Sequence, residues 1–349
     1  LSIRAVSQAK NDREPDPVVA FVIALSQLPG RIRGPGPKVP GVPARSRPTA
    51  MNAPFPASRA AAAMTLDPAA QFLKRMSIEI TGKQIEKLPV LCQHLVPGTR
   101  VFIALIDPAD VAVQLHAARE LGKAGFVPVP HVPARFVRDL DDLKSRIGAL
   151  AQEAGVSEML VLGGGAPQPV GQYEAAIQIL ETGVFETNGV KRIGIAGHPE
   201  GNPDISKAHG EAALLDALTT KQSWLKGHGI EGFIATQFLF EAAPVAEWAT
   251  MLRAEAIDLP ISVGIPGPAT IKTLVKYAAM CGVGNSARFI RKQAMNITKL
   301  LSVNTPDEFI ADLAALHINR PELGISAPHM YPFGGFDKLF DWLGPQLRA

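Results

Sequence analysis

Cysteine is almost absent from this 349-residue chain, with Cys92 and Cys281 the only two. They lie too far apart in sequence for a metal knuckle. Two thiols make no disulfide scaffold, so a reducing, cytoplasmic setting is expected. Charge of one sign is scarce as well: a net charge of +3 over this length leaves no basic footprint for nucleic acid or a membrane surface. Long apolar runs are lacking. The longest near the N-terminus, Val18 to Leu25, is short of a membrane span. It follows Asp12, Glu14 and Asp16, where a secretory signal would carry basic residues. No predicted helix carries a histidine pair at ligand spacing, so no metal site is expected.

What is present is apolar and periodic. With 47% apolar and 19% charged residues the chain can bury a large core. Its length admits either two domains or one barrel of alternating strands and helices. Residues 1 to about 65 stand apart: Pro29, Pro35, Pro37, Pro40, Pro43 and Pro48 alternate with Gly30, Gly34, Gly36, Gly41 and with arginines, and no period survives. This segment is expected to be a disordered extension, with Met51 its first methionine.

From Ser77 onward strand-like and helix-like runs alternate. Strands are expected at Ser77–Ile80, Arg100–Ile106, Val127–Val132, Glu158–Leu162, the run ending at Gly197, Gly232–Phe240, Pro260–Ile265 and Gly324–His329. Helices fall between them, among them Lys83–Leu95, Tyr173–Glu181, Ile205–Lys226 and Arg288–Leu301. Strict alternation argues for a parallel sheet. Eight units in one domain, residues 66–349, match a closed (β/α)8 TIM barrel. An open doubly wound sheet is the alternative, but it would place a glycine-rich turn after its first strand, and Ile78-Glu79-Ile80-Thr81 has none.

In such a barrel, chemistry gathers at the carboxyl ends of the strands. Those ends supply Glu79, Asp107, His131 with Arg135, Gly163-Gly164-Gly165, His198 with Glu200, Gln237 and His329. Glu79, inside an apolar run, is either one half of a structural ion pair or a catalytic carboxyl; buried, its pKa is expected to rise. His131 is either a hydrogen-bonded core histidine or, with Arg135, an anion clamp. Asp107 before Pro108 reads as a helix cap. The glycine run allows a ligand close to the backbone, or merely turns the chain; it lacks the Gly-Lys-Ser/Thr ending of a phosphate loop. Gln237 can meet the edge of a heterocycle. Lys226 either complements a helix dipole or meets a phosphate.

Taken in order, Ser77-Ile78-Glu79, Pro130-His131-Val132, Ile195-Ala196-Gly197-His198-Pro199-Glu200-Gly201-Asn202-Pro203 and Ile234-Ala235-Thr236-Gln237-Phe238 resemble the methylenetetrahydrofolate reductases over roughly residues 76–343. The resemblance implies a (β/α)8 barrel that binds FAD and reduces 5,10-methylenetetrahydrofolate to 5-methyltetrahydrofolate with NAD(P)H. It gives Glu79 the role of proton donor near N10 of the folate, and Gln237 and His198 contacts to the substrate. Cofactor contacts fall to His131, Arg135, Leu162, Gly163, Gly164, Gly165, His198, Asn202 and Lys226. A folate substrate and a chain compatible with a homo-oligomer follow. One departure stands out: Leu162-Gly163-Gly164-Gly165 replaces the family's Leu-Arg-Gly-Asp. It opens a second expectation, a tetrahydrofolate-dependent methyltransferase or demethylase without flavin.

Overall fold

A computed structural model describes residues 67–280 and 303–348. The expected extension, Cys281 and the predicted helix 288–301 lie outside the described residues.

Eight parallel strands close into a barrel in the order β1-β10-β7-β6-β5-β4-β3-β2. They are β1 Ser77–Thr81, β2 Arg100–Ala104, β3 Val127–Pro133, β4 Glu158–Leu162, β5 Arg192–Gly197, β6 Glu231–Phe238, β7 Ile261–Pro266 and β10 Ile325–Tyr331. Helices connect them, so the (β/α)8 expectation holds and the open sheet is excluded. A short antiparallel pair, β8 Ala269–Thr270 with β9 Val303–Asn304, was not foreseen in the sequence.

Two separate cores follow from the period of two along each strand. Outward-facing Ile78, Ile80, Val101, Ile103, Ile193, Ile195 and Ile234 pack under the helices, while Phe102, Val129, Leu160, Phe233 and Ala235 form a cluster inside the ring. The interior is tight: a Cβ on Gly194 would come within 2.4 Å of the Phe233 ring. At the amino-terminal end Glu158 binds Arg100 at 2.7 Å and Arg192 at 3.0 Å, closing the base with charge. The seam of the ring is short. β1 meets β10 in register at Ser77–His329 and Ile78–Met330, whereas β5 and β6 stay paired over six positions.

Several element ends differ from the sequence reading. The predicted helix 83–95 begins as a 3-10 turn, Gly82–Lys87, before the helix Leu88–His94. The predicted helix 205–226 is two helices, Pro203–His209 and Ala213–Gly227, separated at Gly210, whose φ of +85° a helix cannot hold. Tyr173–Glu181 is helical from Ala176 to Leu180 alone. No helix among the described residues is long and apolar enough to cross a membrane.

Candidate functional site

The carboxyl ends of the strands carry a cluster centred on Glu79. β1 turns Ser77 and Glu79 to the same face, and its register with β10 sets Ser77 beside His329. Ser77 Oγ lies 2.8 Å from His329 Nδ1, and His329 Nε2 lies 3.4 Å from Glu79 Oε2. From β3, His131 brings Nε2 to 3.3 Å of the same carboxylate oxygen. That approach lacks regular hydrogen-bond geometry, leaving His131 Nε2 buried without a bond. Phe102 is the floor: its ring centroid is 4.5 Å from that of His329 and 6.2 Å from that of His131. Gln114 fixes β2 and β3 from behind, its Nε2 donating to the carbonyls of Ile103 and His131.

These contacts reverse the expected pKa shift of Glu79. Burial alone would raise it, but the nearness of His131, and then of His329 with its hydrogen bond, outweighs burial and brings the carboxyl down to about 2. Glu79 is therefore a carboxylate at neutral pH. Its side chain is 19% exposed, that of His329 is 1% exposed, and both imidazole nitrogens of His329 are engaged. Of this cluster, Glu79 is the group a ligand can reach.

Gln237 stands on the other side of the mouth. The pairing of β6 with β7 slips between Ala235 and Phe238. Thr236 Oγ1 fills the slip, accepting from Gly264 N at 2.8 Å and donating to the Gln237 carbonyl at 2.7 Å. This bulge re-aims Gln237, whose Nε2 reaches the carbonyl of Gly201 at 3.4 Å. Tyr331 continues the inward face of β10 two residues after His329. Its hydroxyl donates to the Thr236 carbonyl, and its ring stacks on Phe333, which stacks on Tyr277 at 4.0 Å. Ser77 and Tyr331 escaped the sequence reading. Both lie two residues from a residue it singled out, Glu79 and His329, and strand alternation could have found them.

The residues expected to hold a cofactor divide. Leu162 caps the interior cluster. Gly164, at φ +94° with Pro133 Cβ only 3.0 Å from where its own Cβ would stand, is held to glycine by its backbone, while Gly165 meets nothing within 4 Å. Asn202 Oδ1 accepts from Ile205 N at 3.2 Å, capping the helix Pro203–His209. Arg135 does not offer a free guanidinium: Nε binds the Glu174 carbonyl at 3.1 Å and Nη1 the Ala166 carbonyl at 2.9 Å, so it straps down the loop after β4. Lys226 is at the wrong end. The helix Ala213–Gly227 runs antiparallel to the strands and finishes beside the start of β6, where Lys226 pairs with Asp258 at 2.8 Å on the surface. The strand-to-helix count was right, but the position along the helix was not. Lys226→Ala should change stability by no more than about 0.5 kcal/mol and leave any ligand affinity unchanged, measured by thermal melting and titration.

His198, the first residue past β5, is pushed down to about 4 by burial and by the charge of Lys221, a residue the sequence reading passed over. Asp107 Oδ1 accepts from Ala109 N at 2.9 Å, the cap expected of it. Among the described residues no group of three or more histidine, cysteine, aspartate or glutamate side chains could hold a metal ion.

The shifts fix a pH dependence. Glu79 and His198 both have folded pKa values below their unfolded ones, so the unfolded chain binds protons that the folded chain refuses. As the pH falls from 7, stability should drop as His198 is forced to charge between 6.5 and about 4, and drop again as Glu79 is protonated from 4.5 towards about 2. Urea midpoints at stepped pH test this, and a flat profile from 7 to 3 would refute it. A scan of the chain against protein-family models finds no match.

Proposed function

We propose that the barrel reduces 5,10-methylenetetrahydrofolate to 5-methyltetrahydrofolate, with NAD(P)H as the electron source. The observation that carries this reading is Glu79, an ionised carboxylate at the centre of the mouth with two imidazoles at 3.3 and 3.4 Å. Opening the methylene bridge needs a proton at N10. A lone carboxyl would need a raised pKa to supply it. In the proposed step Glu79 first takes a proton by way of the adjoining imidazole of His131 or His329, then gives it to N10 and returns to the carboxylate. Gln237, aimed by the bulge of β6, offers both a donor and an acceptor to the pterin edge. Water-poor surroundings built from Phe102, Phe238 and Tyr331 strengthen each of these interactions.

For the flavin that the resemblance implies, the assigned residues pull two ways. His131, the glycine run, His198 and Asn202 follow strand ends, but the two assigned basic groups, Arg135 and Lys226, are engaged elsewhere. The set does not fit FAD as assigned, and the proton chemistry above stands without it. That same geometry, with Gly163 and Gly165 in place of charged residues, favours a second reading, a folate-dependent methyl transfer without flavin. Purified protein separates the two. The reductase should oxidise NAD(P)H when given methylenetetrahydrofolate; a folded sample that binds tetrahydrofolate yet leaves NAD(P)H untouched, with or without added FAD, sinks the first reading.

A further inference from the structure

A cleft of about 460 Å³ opens at the carboxyl ends of β6 and β7, a size that suits a small molecule. One wall is the start of the helix Ala242–Ala254 and the other is the first turns of the helix Asp307–Asn319. The buried side chains of Leu239, Leu274 and Phe309 form its apolar base. It is separate from the mouth, for none of Glu79, His131, Gln237 and His329 lines it.

The charge in this cleft is of one sign. Glu241, Glu308 and Asp312 line it, and no Lys, Arg or His does. All three acidic residues are exposed, and none of their carboxylates enters a hydrogen bond or an ion pair. The neighbouring Asp307, by contrast, accepts from Trp342 Nε1 at 2.8 Å and from Gln346 Nε2 at 3.1 Å. Glu241 stands at the cap position of its helix, yet its side chain makes no capping bond. Glu308 and Asp312 are four residues apart on one helix, so their like charges share a face and repel. The helix dipole accounts for Glu308 in the first turn, but its influence ends there, and Asp312 lies a turn further on. A cation seated in the cleft removes that repulsion.

The lining also selects the kind of cation. Among the described residues no three acidic or imidazole groups converge closely enough to hold a metal ion. Glu241 stands on one wall and Glu308 with Asp312 on the other, with apolar surface between them. That arrangement fits positive charges spaced along a carbon chain. The cavity has the room of roughly fifteen waters, enough for a chain of about ten non-hydrogen atoms.

We propose that this cleft binds an aliphatic polyamine, a flexible chain with two or three ammonium groups. Its nitrogens pair with Glu241, Glu308 and Asp312, and its methylenes lie on Leu239, Leu274 and Phe309. The inference does not rest on the folate reading, since no residue of that chemistry lines the cleft.

Titration calorimetry of the full chain with spermidine, near neutral pH and at low salt, tests this. One molecule should bind per chain. Glu308→Gln combined with Asp312→Asn should weaken binding about tenfold, and Glu241→Gln on the opposite wall should weaken it as well. Asp337→Asn combined with Asp341→Asn removes the same charge from an exposed face of the helix Phe336–Arg348, outside the cleft, and should leave the affinity unchanged. Absence of saturable binding overturns the proposal, and so does full-strength binding in both cleft variants. Equal weakening by the Asp337 and Asp341 changes would mean attraction to net charge alone, and displacement of spermidine by equimolar Mg²⁺ would mean a diffuse counterion atmosphere; either result overturns it.

Discussion

Under the proposed reductase reading, Glu79→Gln is expected to lower kcat/KM for methylenetetrahydrofolate about a thousandfold, with KM for the folate nearly unchanged. Glutamine keeps the shape and one acceptor oxygen, so it preserves contact with His329 Nε2. It cannot accept and release a proton, and it removes the charged carboxylate that both imidazoles face. A structural role for Glu79 would show differently, as lost stability with turnover per folded molecule retained. Two measurements separate these outcomes: steady-state rates on folded protein, and acid unfolding, where the variant should lose the step between pH 4.5 and about 2. A variant retaining a tenth of the activity would remove Glu79 from the chemistry.

The second large effect lies in the backbone. Gly264→Ala would set a Cβ 2.6 Å from the carbonyl oxygen of Gln237 and 2.7 Å from that of Thr236. Both atoms belong to the bulge of β6, and neither can rotate away. β6 and β7 would have to part, breaking the bond from Gly264 N to Thr236 Oγ1. We expect a loss of about 3 kcal/mol, or a fall in Tm of about 6–12 °C. KM for the folate should rise as well, because the bulge aims Gln237. Gly227→Ala, whose Cβ would meet nothing within 4 Å, is the matched control and should stay within about 0.5 kcal/mol of the parent. Equal melting of the two variants would refute the argument.

How far the sequence could be read depended on the range of the interaction. The strands were legible because alternation and apolar runs are local, and with them came the barrel and the positions of Glu79, His131, His198, Gln237 and His329. Helix interruptions were less so. Gly210 inside an apolar-periodic stretch looked tolerable until a φ of +85° broke the helix. Lys226 was misplaced because a helix period says which face a residue takes, but not which end of the barrel it reaches. The sign of the Glu79 shift was out of reach: its second partner, His329, is 250 positions away, and burial without partners argues for the opposite direction. Lys221 gave no signal, since a lysine in an amphipathic helix is ordinarily solvated.

The short seam gives the Glu79 cluster a second duty. β1 and β10 are the first and last barrel strands in the chain, and two register positions join them. The contacts of Ser77 and Glu79 with His329 cross that same joint. The side chains to which the proton transfer is proposed therefore also fasten the two ends of the barrel together. On the proposed reading a change at Ser77 or His329 is felt twice, as altered proton transfer and as a loosened clasp, and ring closure in folding assembles the Glu79 cluster in the same event.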